Sequence, residues 1–227
     1  MSPVCQGCGA AAPTAARAKG IPPGAGEFWV RRCDACGLGW TEPPVPDSKI
    51  GSWYPQTYYG SGNVRFHPLL ERLIRLFRFR RAALIRRLAG TGKILDVGCG
   101  RGFLLQTLRS LGFEPYGVEL SEHAAYHAVH KLRIPVHVGP LATAPHAPGT
   151  FSAVIFWHTL DHFAEPFGML KKAGELLKPG GLLVVAVPNS ESLQAEVSGP
   201  DWFHLDVPRP YWHFGAGSLR SALVKEG

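Results

Sequence analysis

The sequence predicts an α/β protein, a doubly wound parallel sheet preceded by a small cysteine-bearing module. Three observations carry that reading. From residue 93 onward, short apolar runs alternate with helical stripes, as in successive βαβ units. The first run ends in three glycines at alternate positions, a tight strand-to-helix turn. Ahead of these, Cys5-Gln-Gly-Cys8-Gly9 and Cys33-Asp-Ala-Cys36-Gly37 repeat a single step.

Length and composition set the bounds. A chain of 227 residues holds one full α/β domain and a small appendage. A hydrophobic content of 45% with 18% charged residues fits a globular protein rather than a disordered one. The N-terminus M-S-P-V-C-Q-G-C has no apolar core segment, so no signal peptide is read there. No apolar run approaches the ~18 residues of a membrane span. Cytoplasm is the expected compartment. The formal charge of +7 is concentrated, since Arg65 to Lys93 holds nine basic residues against Glu71 alone.

The two Cys-x-x-Cys-Gly steps predict one structural Zn²⁺ on Cys5, Cys8, Cys33 and Cys36. A tetrahedral site needs four thiolates at ~2.3 Å, and each step supplies two. The following glycine lets the backbone curl back toward sulfur. Phe28-Trp29-Val30 supplies a strand leading into the second step. A redox pair would sit in a thioredoxin-like βαβ pattern, which is absent, and disulfides are out of place in the cytoplasm. Four protein ligands leave no open position for catalysis. The module covers about residues 1–45, and Pro43, Pro44 and Pro46 mark its exit. An aromatic linker, 46–64, follows. Its Trp53–Gly60 stretch either caps a core or lines a substrate mouth with Tyr58 or Tyr59.

His67 to Leu88 reads as one long helix, with Leu69, Leu73, Leu76, Leu84 and Leu88 at apolar positions. Arg72, Arg75, Arg78, Arg81, Arg86 and Arg87 line its other face. Two readings stand: a helix packed on the sheet with solvated arginines, or a basic amphipathic helix for RNA or an anionic surface.

Ile94, Leu95 and Val97 form a buried strand with Asp96 near its end. Gly98, Gly100 and Gly102 follow, and Leu104, Leu108 and Leu111 trace one helical face. A dinucleotide fingerprint counted from Gly98 would need its third glycine at Phe103, which is too large. The pattern Asp96-x-Gly98-x-Gly100-x-Gly102 instead resembles motif I of the class I S-adenosylmethionine (SAM) methyltransferases. The resemblance implies a Rossmann-like sheet, with Asp96 by the ammonium end of the methionine moiety and the glycines beneath it. Cys99 reads as a small packing residue inside the turn rather than a nucleophile.

Tyr116, Gly117 and Val118 form a second strand closed by Glu119. A carboxylate there can accept both ribose hydroxyls. Ser121 is an N-cap, and Ala125, Ala128, Val129 and Leu132 trace the next stripe. Val136–Val138 is a short third strand. The family's acidic residue near the adenine amino group is replaced by Gly139-Pro140-Leu141, so backbone contacts from Leu141 are expected instead.

Phe151–Trp157 is a buried fourth strand running into His158-Thr-Leu-Asp161-His162-Phe-Ala-Glu-Pro166. The family pattern is similar, F-D-x-V and then H-x-L-E-H, with Ser152 and Asp161 as departures. The resemblance implies an acid–His pair, Asp161 and His162, as the base where the reaction needs one; the alternative is that His158 and His162 only cap the strand and the following helix. Pro166 starts that helix, which ends at Leu177. Lys178-Pro179-Gly180-Gly181 then turns into strand five, Leu182–Val187, and this turn and the closing V-P-N also look like the family. Trp202–Phe214 resembles the family's H-L-D-x-P-R lid, and its aromatics equally suit hydrophobic cover for the sheet.

A full sheet of this family has seven strands, and only five are counted here, with a last helix starting near Ser218. Strands six and seven are missing from the pattern, so strand five is expected to present an open edge. The lid, or a second copy of the chain, is expected to cover it; C-terminal truncation is the alternative. The domain from 65 to 227 is thus read as a SAM-dependent methyltransferase acting on a small-molecule acceptor. The paired knuckles suit zinc-bearing members such as sugar C-methyltransferases. Its implied SAM contacts are Asp96, Gly98, Cys99, Gly100, Gly102, Glu119, Leu120, Leu141, Trp157 and His158. The competing class is a protein binding RNA or an anionic surface through the cysteine module and the arginine helix; nucleic acid is the weaker partner.

Overall fold

The structure, a computed structural model, describes residues 4–10, 14–19, 27–44 and 68–225. The linker aromatics Trp53–Gly60 lie outside the described residues. In chain order the elements begin with β1 (Thr14–Lys19), β2 (Glu27–Arg32), β3 (Gly39–Glu42) and α1 (Pro68–Ala89). Next come β4 (Gly92–Val97), α2 (Phe103–Ser110), β5 (Phe113–Glu119), α3 (Glu122–Tyr126), β6 (Val136–Val138) and β7 (Phe151–Trp157). The chain continues through α4 (Pro166–Leu176), β8 (Leu177–Ala186), α5 (Leu193–Ser198), β9 (Trp212–His213) and α6 (Ala216–Lys225). No helix among the described residues is long and apolar enough to cross a membrane.

Two compact units emerge. The first, built on residues 68–157 and 172–185, holds a five-stranded sheet in the order β6-β5-β4-β7-β8. β4 pairs in parallel with β5 on one side and β7 on the other, so Asp96 lies opposite both Gly117 and Ile155. The strand order therefore reverses at β4, where an α/β sheet opens a crevice at its carboxyl ends. Ile94, Leu95, Val97 and Ala153–Phe156 are fully buried, as expected of central parallel strands covered on both faces. The inner face of α1, with Ala82 and Ile85, joins Leu105, Leu108 and Phe113 in this core. α3 begins as expected, with Ser121 Oγ accepting from Ala124 N at 3.3 Å. It runs on into a π turn, His127–Lys131.

The Lys178–Gly181 turn falls within the bounds of β8 rather than ahead of it. Gly180 has φ 73°, and a Cβ on Gly181 would lie 2.9 Å from Lys178 O, so the chain folds tightly there without leaving the strand. β8 stands at the edge of the sheet.

The second unit combines the described residues up to Pro44 with His158–Lys171 and the residues from Ala186 onward. Its sheet, β1-β2-β3-β9, is antiparallel throughout. Within this unit the lid contributes a strand of its own, β9, which pairs with β3, matching Gly39 to His213 and Trp40 to Trp212. The free edge of β3 accounts for this: Thr41 N donates to Tyr211 O at 2.9 Å just beyond the paired residues. The C-terminal stretch therefore groups with the cysteine module, which the sequence had set apart as residues 1–45.

Candidate functional site

In the wound-sheet unit, the turn after β4 uses all three glycines in left-handed backbone, with φ of 78°, 50° and 75° at Gly98, Gly100 and Gly102. Gly98 N and Cys99 N both point at Val118 O, at 2.7 and 3.1 Å, which pins the turn to β5. Gly102 has a packing role, since a Cβ there would meet Ala128 Cβ at 2.7 Å. The close approach that a dinucleotide fingerprint makes one residue later is thus made here at Gly102. Gly100 faces open space, with nothing within 4 Å of where its Cβ would stand. Cys99 is buried, and its thiol is pushed up by burial and by the neighbouring Asp96 and Glu119 carboxylates, which suits packing and not nucleophilic attack.

Two carboxylates border this turn. Asp96 is 3% exposed, and its Oδ1 is buried with no hydrogen-bond partner among the described residues. Burial, helped by the Glu119 charge, raises its pKa to about 7. Glu119 accepts from Gly100 N at 2.8 Å and from Ser121 N at 3.0 Å, one bond on each oxygen. Each oxygen keeps a lone pair for another donor. Leu120, the next residue, is exposed. Gly139 N donates to Glu119 O at 2.9 Å, so the end of β6 is tied to the end of β5. The Leu141 side chain is buried at the start of a short 3-10 turn. Trp157 closes β7 under the Arg81 guanidinium, 4.3 Å from its ring centroid. Arg78 stands 5.0 Å over Phe103 in the same way. Helical periodicity could only assign these arginines to an outer face.

The remaining predicted residues belong to the other unit. His158, directly after β7, has φ 54°, an uncommon conformation for so bulky a side chain and one that gathers at functional sites. Asp161 is buried, with Oδ2 3.6 Å from His162 Nε2 and Oδ1 without a hydrogen-bond partner among the described residues. Burial raises the Asp161 pKa against the opposing pull of His162, His158 and His204. His162 Nδ1 lies 3.2 Å from the Arg209 carbonyl. A carbonyl only accepts, so Nδ1 is the donor in that bond, and Nε2 is the nitrogen nearer Asp161. Tyr211 N donates to Asp161 O at 2.9 Å, and Arg209 is ion-paired to Asp206. His204, the first residue of the lid's H-L-D-V-P-R run, joins these residues, and nothing in the sequence pattern alone marks it. Its ring stacks on His158 at 6.3 Å and meets Trp202 edge-on at 5.7 Å.

The four cysteines of the first module form one cluster, their sulfurs all within 4.8 Å of one another. The two steps are near copies. Cys5 N donates to Ala10 O as Cys33 N does to Leu38 O, and Gly9 N donates to Cys5 O as Gly37 N does to Cys33 O. The cross-step pairs Cys5–Cys36 and Cys8–Cys33 have sulfurs 3.6 and 3.5 Å apart. That is too long for a disulfide and close to an edge of a tetrahedron of ~2.3 Å metal–sulfur bonds. The donor set and its spacing fit zinc.

A family profile described as "Methyltransferase domain" matches residues 67–227. The chain belongs to that family. Its curated relatives include the ubiquinone biosynthesis O-methyltransferase of Paraburkholderia xenovorans (strain LB400), 34% identical over 106 residues, or 44% of this chain and 46% of that one. The enzyme of the same name from Caulobacter sp. (strain K31) is 33% identical over 148 residues, 60% of this chain and 58% of the relative. The chain thus spans about half the length of the curated relatives it matches. Among solved structures, a SAM-dependent methyltransferase from Thermotoga maritima superposes with TM-score 0.52 at 24% identity, covering 69% of this chain and 78% of the other. Another from Archaeoglobus fulgidus gives 0.57 at 23%, covering 70% and 72%. These two likenesses establish the class I methyltransferase fold.

Proposed function

We propose that this chain is a SAM-dependent methyltransferase acting on a small-molecule acceptor, with SAM held by Asp96, Glu119 and the Gly98–Gly102 turn. The observation that carries this reading is the buried, unpartnered Asp96 Oδ1 at the end of the central strand. An acceptor left bare there costs stability unless a cationic or donor group of a ligand fills it. Glu119, with a lone pair to spare on each oxygen, suits a ribose diol, and the open space over Gly100 leaves room for a ligand to lie against bare backbone. Leu120, Leu141, Trp157 and His158 are proposed as further SAM contacts. Bound SAM supplies a sulfonium-activated methyl group.

The acceptor is read as a hydroxyl-bearing metabolite, a reading supported by the O-methyltransferase names of the curated relatives. An acceptor hydroxyl must lose its proton, and His162 is the proposed base, held through Nδ1 by the Arg209 carbonyl with the Asp161 carboxyl beside it. The Cys5–Cys8–Cys33–Cys36 cluster is proposed to hold a structural Zn²⁺ that closes the ribbon. Calorimetry with SAM, followed by mass spectrometry of small molecules methylated by the purified protein, tests the reading. Absence of SAM binding would refute it.

A further inference from the structure

The outer side of α1 has no part in that reaction, and it is strongly apolar. Leu73, Leu76, Phe77, Leu84 and Leu88 are between 46% and 59% exposed. At 3.6 residues per turn they share an arc of about 120°, opposite the buried Ala82 and Ile85, with Arg80 and Arg87 among them. The helix carries seven arginines and one glutamate. Arg78 and Arg81 turn inward over Phe103 and Trp157, and Arg86 Nε donates to Leu111 O at 3.1 Å. Arg72, Arg75, Arg80 and Arg87 are exposed.

Charge decides which occupant fits such a face. A second copy docked through the same helix would set these arginines against themselves. The segment before the helix, residues 45–67, offers Asp47 alone against Lys49 and Arg65, and so cannot neutralise it. RNA would satisfy the arginines but would leave the leucines against phosphate and water. An anionic bilayer takes both, with the apolar arc entering the acyl boundary while arginine stems snorkel to the headgroups. We propose that α1 is an interfacial helix that docks this chain on an anionic lipid surface. This inference is independent of the methyl-transfer reading.

The test is sedimentation of the full chain with phosphatidylcholine vesicles, either neutral or containing roughly a third phosphatidylglycerol. Partition onto the anionic vesicles is expected to be at least about tenfold the neutral value and to fall in high salt. A Leu76→Ser/Leu84→Ser pair and an Arg80→Glu/Arg87→Glu pair should each lose about tenfold or more at an unchanged melting temperature. If the leucine pair melts early, the arginine pair decides alone. Absence of partition onto anionic vesicles, or partition that the intact variants keep, overturns the proposal. So does a dimer in light scattering that the leucine pair dissolves, or RNA retention that survives the leucine changes and is lost with the arginines.

Discussion

Thr41 Oγ1 stands 3.0 Å from His213 Nε2 and 2.8 Å from the Pro210 carbonyl. The hydroxyl has one proton, which it gives to the carbonyl, so His213 must donate from Nε2. This pair sews β3 of the cysteine module to β9. Burial, with His162 adding to it, pushes the His213 pKa down to about 4. Thr41→Val keeps the shape and strips both bonds, leaving an imidazole N–H and a carbonyl unpaired. It should cost about 1–3 kcal/mol, read as a lower urea midpoint. The unfolded chain takes up the His213 proton first, near the ordinary 6.5, so stability should fall as pH drops from there toward 4. An unchanged midpoint in Thr41→Val would remove this pair from the account.

Metal removal gives the second outcome. The purified chain should carry about one zinc, and a strong chelator should lower its melting temperature, because binding at four thiolates is coupled to folding of the small module. Cys33→Ser should lose the metal. A Cys33→Ser protein with full zinc and wild-type stability would dismiss the site.

SAM binding should depend on pH through Asp96. Its carboxyl, near pKa 7 in the free chain, must ionise to face a cation, so a proton is released on binding below that pH. Affinity should weaken by up to about tenfold per unit as pH falls below 7, and Asp96→Asn should flatten the profile. In the free chain, the raised pKa means that this carboxyl stabilises the fold at low pH. That contribution is lost as pH rises through 7. Glu119→Ala should weaken SAM at least about tenfold, since charge-assisted hydrogen bonds are lost. Affinity that ignores both the substitution and pH would disprove these roles.

If His162 is the base, His162→Ala should abolish most turnover while calorimetric SAM affinity stays within a factor of about two. General-base catalysis typically contributes about 10²–10⁴-fold. Asp161→Asn should shift the pH profile of kcat rather than the affinity for SAM. Full turnover in His162→Ala would reduce His158 and His162 to caps on the strand and helix.

The turn, the two strand-end carboxylates and the cysteine steps were readable because each is local: a few residues at fixed spacing dictate a backbone path. β9 was not. Two residues inside an aromatic stretch carry no period, and only the open edge of β3, remote in sequence, turns Trp212–His213 into a strand. His204 escaped for a similar reason, since its relation to His158 depends on a return of the chain over many residues. The arginines of α1 were visible as a charge pattern. Which of them would lie over Phe103 and Trp157 depended on packing that a helical wheel does not contain.

The last prediction concerns Gly117 and Cys99. Gly117 is buried in β5 opposite Asp96, and a Cβ built there would stand 2.5 Å from Cys99 Sγ, 3.1 Å from Val136 Cγ2 and 3.3 Å from Cys99 Cβ. Its backbone is ordinary for a strand, so the clash is steric and not conformational. The thiol has little room to retreat, because Cys99 is itself 9% exposed and packed in the core. Gly117→Ala should therefore destabilise the chain by about 1–3 kcal/mol, as overpacking does, and should weaken SAM binding by displacing the turn. Cys99→Ala removes the nearest atom and leaves the 3.3 Å contact, so the double variant should recover part of the loss. The coupling expected for touching side chains is about 0.5–3 kcal/mol. Additive costs in the double-mutant cycle would show that the turn adjusts around the new methyl, and would refute the claim that Cys99 requires glycine at position 117.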